Sequence, residues 1–289
     1  MFKRIKSGWR LTRKSWGVFR DNPGLIRFAV ASGILSLLAV ALVVGPGLYL
    51  IDAESQVIGG ILVAVGIYLA AYISIYFAIG LAHSADRLMQ GEETSFREGM
   101  AVAGSRASAA AGWAFVSVVV MTIIRAIQER FGIAGAIFGG LAAAAWGILT
   151  FLAVPVIAIE GTGPIKTLKR CAHLVKSRWG EQITGTVTIG AAVALLGILP
   201  GILMIVAGVA LWATSGVGGA ILIAVGLVVL VIAALIQQVL TTIFGVALYR
   251  YVADEKAIGA FTVEDMESAV RTKGGGATPG GPVTSASTI

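Results

Sequence analysis

Residues 219–249 read GAILIAVGLVVLVIAALIQQVLTTIFGVALY, and this uncharged, almost wholly apolar run decides the fold. A helix needs about 20 predominantly apolar residues to cross the hydrocarbon core of a bilayer. The run is longer than that and contains no Asp, Glu, Lys or Arg. It therefore predicts a transmembrane helix that is tilted or that projects into the interface.

The composition of the whole chain is that of an integral membrane protein. Of its 289 residues, 57% are hydrophobic and 13% are charged, whereas soluble domains contain about 25% charged residues. The net charge is +7. Beside such apolar segments, anionic lipid headgroups explain a basic excess better than nucleic acid does. We therefore expect membrane lipids as partners and no nucleic acid.

Five further segments are apolar and long enough to cross a membrane, which predicts an all-α polytopic fold with six transmembrane helices. The predicted spans run from Leu25 to Ile51, Val57 to Ala82, Ser108 to Ile124, Ile133 to Ile159, Ile183 to Trp212 and Gly219 to Tyr249. Short outer loops make each consecutive pair an antiparallel hairpin. The three hairpins cover residues 25–82, 108–159 and 183–249 of a single membrane domain, residues 1–273. The Gly-, Pro-, Ser- and Thr-rich tail, residues 274–289, is predicted to be disordered.

The positive charges fall on one side of this predicted membrane domain. All Lys and Arg residues except Arg125 and Arg130 lie before or at the very start of the first span, between spans two and three, between spans four and five, or after span six. Cytoplasmic segments of membrane proteins contain an excess of Lys and Arg. We therefore expect a multi-pass protein of a prokaryotic plasma membrane with both termini in the cytoplasm.

Residues 1–20 have the pattern of a helix that lies in the membrane interface. Apolar or semi-apolar residues recur at steps of three and four, which form one helix face, at Phe2, Ile5, Trp9, Thr12, Trp16 and Phe19. Lys3, Lys6, Arg10 and Arg13 flank that stripe. A basic face beside an apolar face with Trp and Phe is typical of interfacial helices. We expect these four side chains to contact lipid headgroups.

The same pattern occurs 163 positions later, where LVKSRWG at 174–180 matches LTRKSWG at 11–17. The apolar stripe is reproduced over residues 163–179, and Pro164 marks the start of this second helix, because proline is favoured at the first helical position. Its candidate headgroup contacts are Lys166, Lys169 and Lys176.

Residues 95–107 are predicted to form a third, less basic interfacial helix on the same side of the membrane. Ser95 and Glu98 have the spacing of a capping box at its start. Two explanations of the repeated pattern stay open. Either one unit of interfacial helix plus hairpin was duplicated, or basic amphipathic segments were selected independently.

Gln237, Gln238, Thr241 and Thr242 form the most polar patch within a predicted span. Residues four apart lie on the same face of a helix. Such side chains often hydrogen-bond between membrane helices, so we predict an interhelical polar patch. The alternative is that they line a narrow polar pathway.

The sequence contains no arrangement that indicates catalysis, a metal site or a cofactor. Cys171 is the single cysteine, and its spacing from His173 places the two side chains on different helix faces, which does not suit a zinc site. Ionisable residues deep in a span, the usual functional candidates, are almost absent. Glu160, at the end of span four, is expected to pair with Lys or Arg of the following helix. We predict a protein that is not an enzyme.

Three motifs resemble a prokaryotic family of six-helix integral membrane proteins that is classed only as a domain of unknown function. They are MFKRIKSGWRLTRKSWGVFRDNPGL at 1–25, VPVIAIEGTGPIKTLKRCAHLVKSRWGE at 154–181 and FGVALYRYVADEKAIGAFTVEDM at 244–266. The middle motif is also distantly similar in style to the membrane domain of some glycerophosphodiester phosphodiesterases. We do not expect this sequence to form the catalytic barrel of those enzymes, so the resemblance implies no enzyme activity here.

Two function classes remain for such a protein. The basic interfacial helices favour a non-enzymatic protein that organises the membrane or interacts with its lipids, alone or as a homo-oligomer. The alternative is a transporter or channel for a small or apolar solute, which six spans and the polar patch would allow.

Overall fold

The computed structural model describes residues 2–52, 55–179, 197–212 and 214–263. Within these ranges the chain consists of helices and short turns, with no strand. The predicted tail, residues 274–289, and the first part of the fifth predicted span lie outside the described residues. So do the side chains of Lys3 and Lys6, although the backbone of both belongs to the first helix.

The helices are numbered here in chain order. They are α1 (Phe2–Asp21), α2 (Ile26–Ala39), α3 (Gly45–Asp52), α4 (Gln56–Met89), α5 (Phe96–Ser105), α6 (Ala107–Arg130), α7 (Gly132–Thr150), α8 (Ala153–Glu160), α9 (Pro164–Trp179), α10 (Leu199–Trp212) and α11 (Gly216–Asp254). A single 3-10 turn, Pro23–Leu25, joins α1 to α2, and a π-helical segment, Val40–Val44, joins α2 to α3.

Five helical segments are long and apolar enough to cross a membrane. They are Pro23–Ile51, Gln56–Met89, Ala107–Arg130, Ala134–Glu160 and Gly216–Asp254. The fifth of the six predicted spans is represented by α10, a shorter apolar helix whose preceding residues are not among those described. The described residues therefore support an all-α, multi-pass membrane protein with five spanning helices.

Two irregularities within the spans occur beside prolines. The π-helical segment Val40–Val44 ends just before Pro46, and the break between α7 and α8 lies just before Pro155. Proline has no backbone N–H and its ring crowds the carbonyl four residues earlier, so regular α-helical bonding fails at that point. The fourth predicted span is thus two helices in succession instead of one.

Glycines bring consecutive helices into backbone contact. A Cβ atom added to Gly59 of α4 would lie 2.6 Å from the carbonyl oxygen of Gly47 in α3. One added to Gly219 of α11 would lie 2.7 Å from the carbonyl oxygen of Gly208 in α10. Small residues permit such close approach between membrane helices. We call the end of the bundle that holds these four glycines the paired end, because there α3 packs on α4 and α10 on α11.

The densest core lies at the opposite end, which we call the packed end. It is formed by residues 77–89 of α4 and 239–252 of α11, with contributions from α2, α5, α6, α8 and α9. Its largest fully buried side chains include Phe28, Ile79, Ile157 and Phe244. The amphipathic helices α1, α5 and α9 also pack at this end, so the described Lys- and Arg-rich segments gather around the core.

Candidate membrane-interface site

Helix α1 has three different faces instead of the two that its sequence pattern predicts. Leu11 is 1% exposed and Ser15 is fully buried, on the face that packs against α11. On the predicted apolar stripe, Trp16 is 42% exposed, whereas Phe19 is half-buried against the core. Arg10 and Arg13 are exposed as well. At about 100° of rotation per residue, these protein-facing, apolar and basic faces are separated by roughly a third of a turn.

Helix α9 repeats this arrangement against a different set of helices. Cys171 is fully buried and Leu174 is 3% exposed, against the neighbouring helices α6, α7, α8 and α11. On the predicted apolar stripe, Ile165 is 68% exposed, whereas Leu168 and Val175 are half-buried against the core. The three predicted headgroup contacts are all exposed, at Lys166, Lys169 and Lys176.

The two helices bury equivalent positions. Leu11 and Leu174 are identical residues at the constant offset of the repeat, and both lie on the protein-facing side. The order of the three faces around the helix axis is also the same in α1 and α9. The sequence analysis identified the apolar stripe and the basic face but missed the protein-facing side. The identity of Leu11 and Leu174 was the signal that could have found it.

The start of α9 is fixed by a short polar network. The Thr167 hydroxyl lies 2.8 Å from that of Thr162 and donates to the carbonyl of Gly163 at 3.0 Å. Gly161 ends α8 in the left-handed conformation, with φ of 67°, which favours glycine. The predicted start at Pro164 is confirmed. This tight turn holds α9 directly against the end of α8.

Glu160 pairs with the following helix, as predicted, and also with a residue that the prediction missed. The Nε of Arg170 donates to Glu160 Oε1 at 2.7 Å, and the Tyr249 hydroxyl donates to the same oxygen at 2.7 Å. The bond to this carboxylate raises the pKa of the Arg170 guanidinium. The last residue of α8 therefore ties α9 to the spanning helix α11.

A second ion pair joins α4 and α11 at the packed end. Arg250 donates from Nε and Nη2 to the two carboxylate oxygens of Asp86 at 2.8 and 2.7 Å, and from Nη1 to Asp254 at 2.7 Å. The Asp86 side chain is 7% exposed. Two-point binding of this kind combines charge with fixed geometry. Successive residues of α11, Tyr249 and Arg250, thus hold carboxylates on two different helices.

The third segment that was predicted to be interfacial forms α5, within the predicted bounds 95–107. Its capping box is confirmed: the backbone N–H of Glu98 donates to Ser95 Oγ at 3.2 Å, and that of Ser95 donates to the Glu98 carboxylate at 2.9 Å. The bond from the Ser95 backbone lowers the pKa of Glu98. Helix α5 therefore begins where its sequence predicts.

The predicted polar patch lies half-buried in α11. The Thr242 hydroxyl donates to the carbonyl of Gln238 in the same helix, at 2.8 Å. Gln237, Gln238 and Thr241 are likewise half-buried. Among the described residues, no hydrogen bond joins these four side chains to another helix. The interhelical role stays a prediction.

The chemistry of the described residues offers no metal centre. Within the ranges that the structure covers, no group of three or more His, Cys, Asp or Glu side chains is placed to hold a metal ion. Burial raises the pKa of the Cys171 thiol to about 12. A thiol in this state is a poor nucleophile and a poor ligand.

Comparison with known proteins places the chain in a family without an assigned function. Residues 57–259 match the family described as "Family of unknown function (DUF6159)". The comparisons with curated proteins and with solved structures find no match. The matched region runs from the start of α4 to just beyond α11 and includes every ion pair described above. Since it covers more than half of the residues, the chain belongs to the family of unknown function DUF6159.

Proposed function

We propose that this chain is a non-enzymatic protein of a prokaryotic plasma membrane that binds anionic lipid headgroups and organises lipid around its packed end. In this proposal six helices cross the membrane as three hairpins, and both termini are cytoplasmic. The interfacial helices α1, α5 and α9 then lie at the inner leaflet. The protein acts alone or as a homo-oligomer.

The observation that carries this proposal is the third face of α1 and α9. A helix that only packed on the protein would keep its apolar stripe covered, but the stripe is exposed at one large residue in each of these helices, while Phe19, Leu168 and Val175 are half-buried against the core. Ile165 is 68% exposed and Trp16 is 42% exposed, and basic side chains adjoin both. An exposed apolar stripe beside a basic face suits the boundary between headgroups and acyl chains, and each Lys or Arg there adds about 1 kcal/mol of attraction to an anionic surface.

Lipid retention by the full chain tests the proposal. The chain is purified, exchanged into mixed micelles with phosphatidylglycerol and phosphatidylcholine, and its retained lipid is measured. Replacing Lys166, Lys169 and Lys176 by Gln should lower the retained phosphatidylglycerol several-fold, with a smaller difference at high salt. The matched control replaces Arg125 and Arg130, which are exposed at the opposite end of the bundle. Equal retention by both variants would contradict the proposal.

The proposed topology has its own test. A reporter that is active only in the periplasm, fused after residue 289, should stay inactive, and one that folds in the cytoplasm should be active. Periplasmic activity would exclude an even number of spans with a cytoplasmic N-terminus.

The half-buried Gln237 and Gln238 favour one alternative, a transporter or channel for a small or apolar solute. These amides lie in the middle of α11, where an apolar side chain would be the default. If they line a pathway, solute flux into proteoliposomes should be lost when both are replaced by Leu. Unchanged flux, or its absence in the unaltered chain, would reject this alternative.

A further inference from the structure

Helix α11 is too long to lie within a bilayer over its whole uncharged length. Residues 216–249 contain no Asp, Glu, Lys or Arg, and they extend for about 50 Å at about 1.5 Å per residue. The hydrocarbon core is about 30 Å thick. A tilt of more than about 50° would be needed to fit this length, whereas membrane helices tilt by at most about 40°. Part of the apolar stretch of α11 therefore lies outside the hydrocarbon.

The exposed large apolar side chains form a band around the paired end. They lie within residues 30–49, 57–67, 115–131, 137–141, 199–212 and 217–232. Beyond these ranges the described residues expose only three such side chains, Trp16, Ile165 and Val263. Charged residues occur within the band only in the last two turns of α6, near the outer loops, where long side chains can reach water. The surface that suits acyl chains is thus confined to one end of the bundle.

Contacts between helices place the edge nearer the packed end, which we call the inner edge, at one level. The Ser36 hydroxyl of α2 donates to the carbonyl of Ala70 in α4 at 3.4 Å. A Cβ atom at Gly33 of α2 would lie 3.3 Å from Leu235 Cδ2 in α11. On all three helices the band ends within one turn of these contacts. From the start of α11 to Leu235 the helix rises about 30 Å, which matches the hydrocarbon thickness.

Aromatic side chains lie at both edges of the band. Tyr72 of α4 and Trp146 of α7 are half-buried, each about one and a half turns beyond the last exposed apolar side chain of its helix. At the opposite edge, Tyr49 of α3 and Trp212 of α10 are exposed. Tyr and Trp are enriched at both boundaries between hydrocarbon and water. The band therefore has the edges expected of a surface that contacts acyl chains.

Beyond the inner edge, α4 and α11 remain apolar but are enclosed by protein. Residues 77–82 of α4 and 243–249 of α11 are buried on every side, as a helix that is apolar all round requires. Arg87, Glu92 and Lys169 are exposed around this core. Since protein covers the apolar side chains, these segments can leave the hydrocarbon without exposing apolar surface to water.

We infer that the hydrocarbon core of the bilayer surrounds the paired end only, and that the packed end projects from it among the headgroups and into the aqueous phase. The start of α9 lies beside the boundary, because a Cβ atom at Gly112 of α6 would lie 2.9 Å from Pro164 Cγ. The polar patch of α11, from Gln237 to Thr242, lies just beyond the inner edge, at the depth of the headgroups. Only the side of the membrane that the packed end faces rests on the proposed function.

Spin-label depth measurements on α11 in lipid nanodiscs test this placement. Val217, Val225 and Ile232 are exposed, and the full chain is labelled after Val217→Cys, Val225→Cys or Ile232→Cys. If hydrocarbon covers about the first 20 residues of α11, the label at Val225 is deepest. Val217 and Ile232 lie about 12 Å and about 10 Å from it toward the two edges. The ratio of accessibility to oxygen over that to a water-soluble nickel complex should be severalfold higher at Val225 than at either other position.

A maximum at Ile232, the midpoint of the uncharged stretch, or equal ratios at all three positions would overturn the inference. Val228→Cys adds a second label near the centre of the band, also at an exposed position, so that the comparison does not depend on one substitution. The unsubstituted chain, labelled in the same way, is the control, because its single cysteine, Cys171, is fully buried.

Nanodiscs of phosphatidylcholine alone separate this inference from the proposed function, since the depth of the labels does not require anionic lipid. A deepest label at Val225, with phosphatidylglycerol retention unchanged by the lysine substitutions in α9, would support this inference and contradict the proposed function. A deepest label at Ile232, with retention lowered by those substitutions, would overturn this inference and leave the proposed function standing.

Discussion

At the packed end, side chains from many helices share one core and two ion-pair networks, whereas at the paired end the helices meet mainly through glycine contacts with their neighbours in the chain. We attribute the difference to the surroundings expected for each end of the bundle. Within hydrocarbon, lipid chains are as apolar as Leu or Val, so close backbone packing replaces the hydrophobic effect. Where amphipathic helices lie on the bundle, apolar and charged groups can be buried together. The two ends should therefore respond differently to substitution.

The largest effect is expected from Asp86→Ala at the packed end. This change leaves the Arg250 guanidinium beside the core without its two-point partner, and breaking such a pair by removing one member costs about 3 kcal/mol. Unfolding by SDS titration, or loss of the folded species on heating, should show this destabilisation. Asp254→Asn is the control, since its side chain is more exposed than that of Asp86. Equal stability of both variants would show that the Asp86 pair contributes little.

A smaller effect, confined to the paired end, is expected from Gly59→Ala. The added methyl group would press on the backbone of α3, and overpacking of this kind costs about 2 kcal/mol. Hydrogen exchange should become faster in α3 and the first turns of α4 and remain unchanged at the packed end. Gly60→Ala is the matched control, because a Cβ atom at Gly60 meets open space. Faster exchange at both ends would mean that they are one cooperative unit.

Tyr249→Phe tests the second network at the packed end. The variant loses a hydrogen bond to a carboxylate, and we expect about 1.5 kcal/mol of destabilisation. Glu160 keeps its bond to Arg170, so the loss should be smaller than in Asp86→Ala. Measurement of both variants and of the double variant under the same conditions checks this order, and a larger loss in Tyr249→Phe would contradict it.

The last and smallest expected effect concerns the reactivity of Cys171, which should react slowly with a maleimide in the folded chain. Burial holds the Cys171 thiol neutral by raising its pKa to about 12, so labelling at pH 8 should be at least about tenfold slower than in the SDS-unfolded chain. Since the folded-state pKa is raised, this thiol favours the unfolded state only as the pH rises above about 8.5, the ordinary value for cysteine. The chain has one cysteine, so the label reports this position alone. Equal labelling rates in both states would place Cys171 outside the core.

The structural features that could be predicted from the sequence are those encoded by residues close together in the chain. Apolar length located the five long helices, Ser95 and Glu98 located the start of α5, and proximity along the chain suggested that Glu160 pairs with the next helix. Each of these features involves residues that lie near one another in the chain. The amphipathic stripes of α1 and α9 were likewise visible from their spacing.

The features that the sequence analysis missed depend on contacts between distant residues. Asp86 and Arg250 are 164 positions apart, and nothing in the residues around Asp86 indicates that its partner lies on α11. The protein-facing side of α1 includes Leu11 and Ser15, which have helical spacing, but one of the two is a serine, so an apolar pattern does not show that this face is buried.

Tyr249 and Arg250 are neighbours in the chain, yet they bind carboxylates on α8 and α4. Successive side chains on a helix point about 100° apart, so the two bonds act along different directions from one axis. A turn of α11 about its axis, or a slide by a single residue, would break both bonds together. These two side chains therefore fix both the rotation of α11 about its axis and its position along that axis, each relative to a different helix.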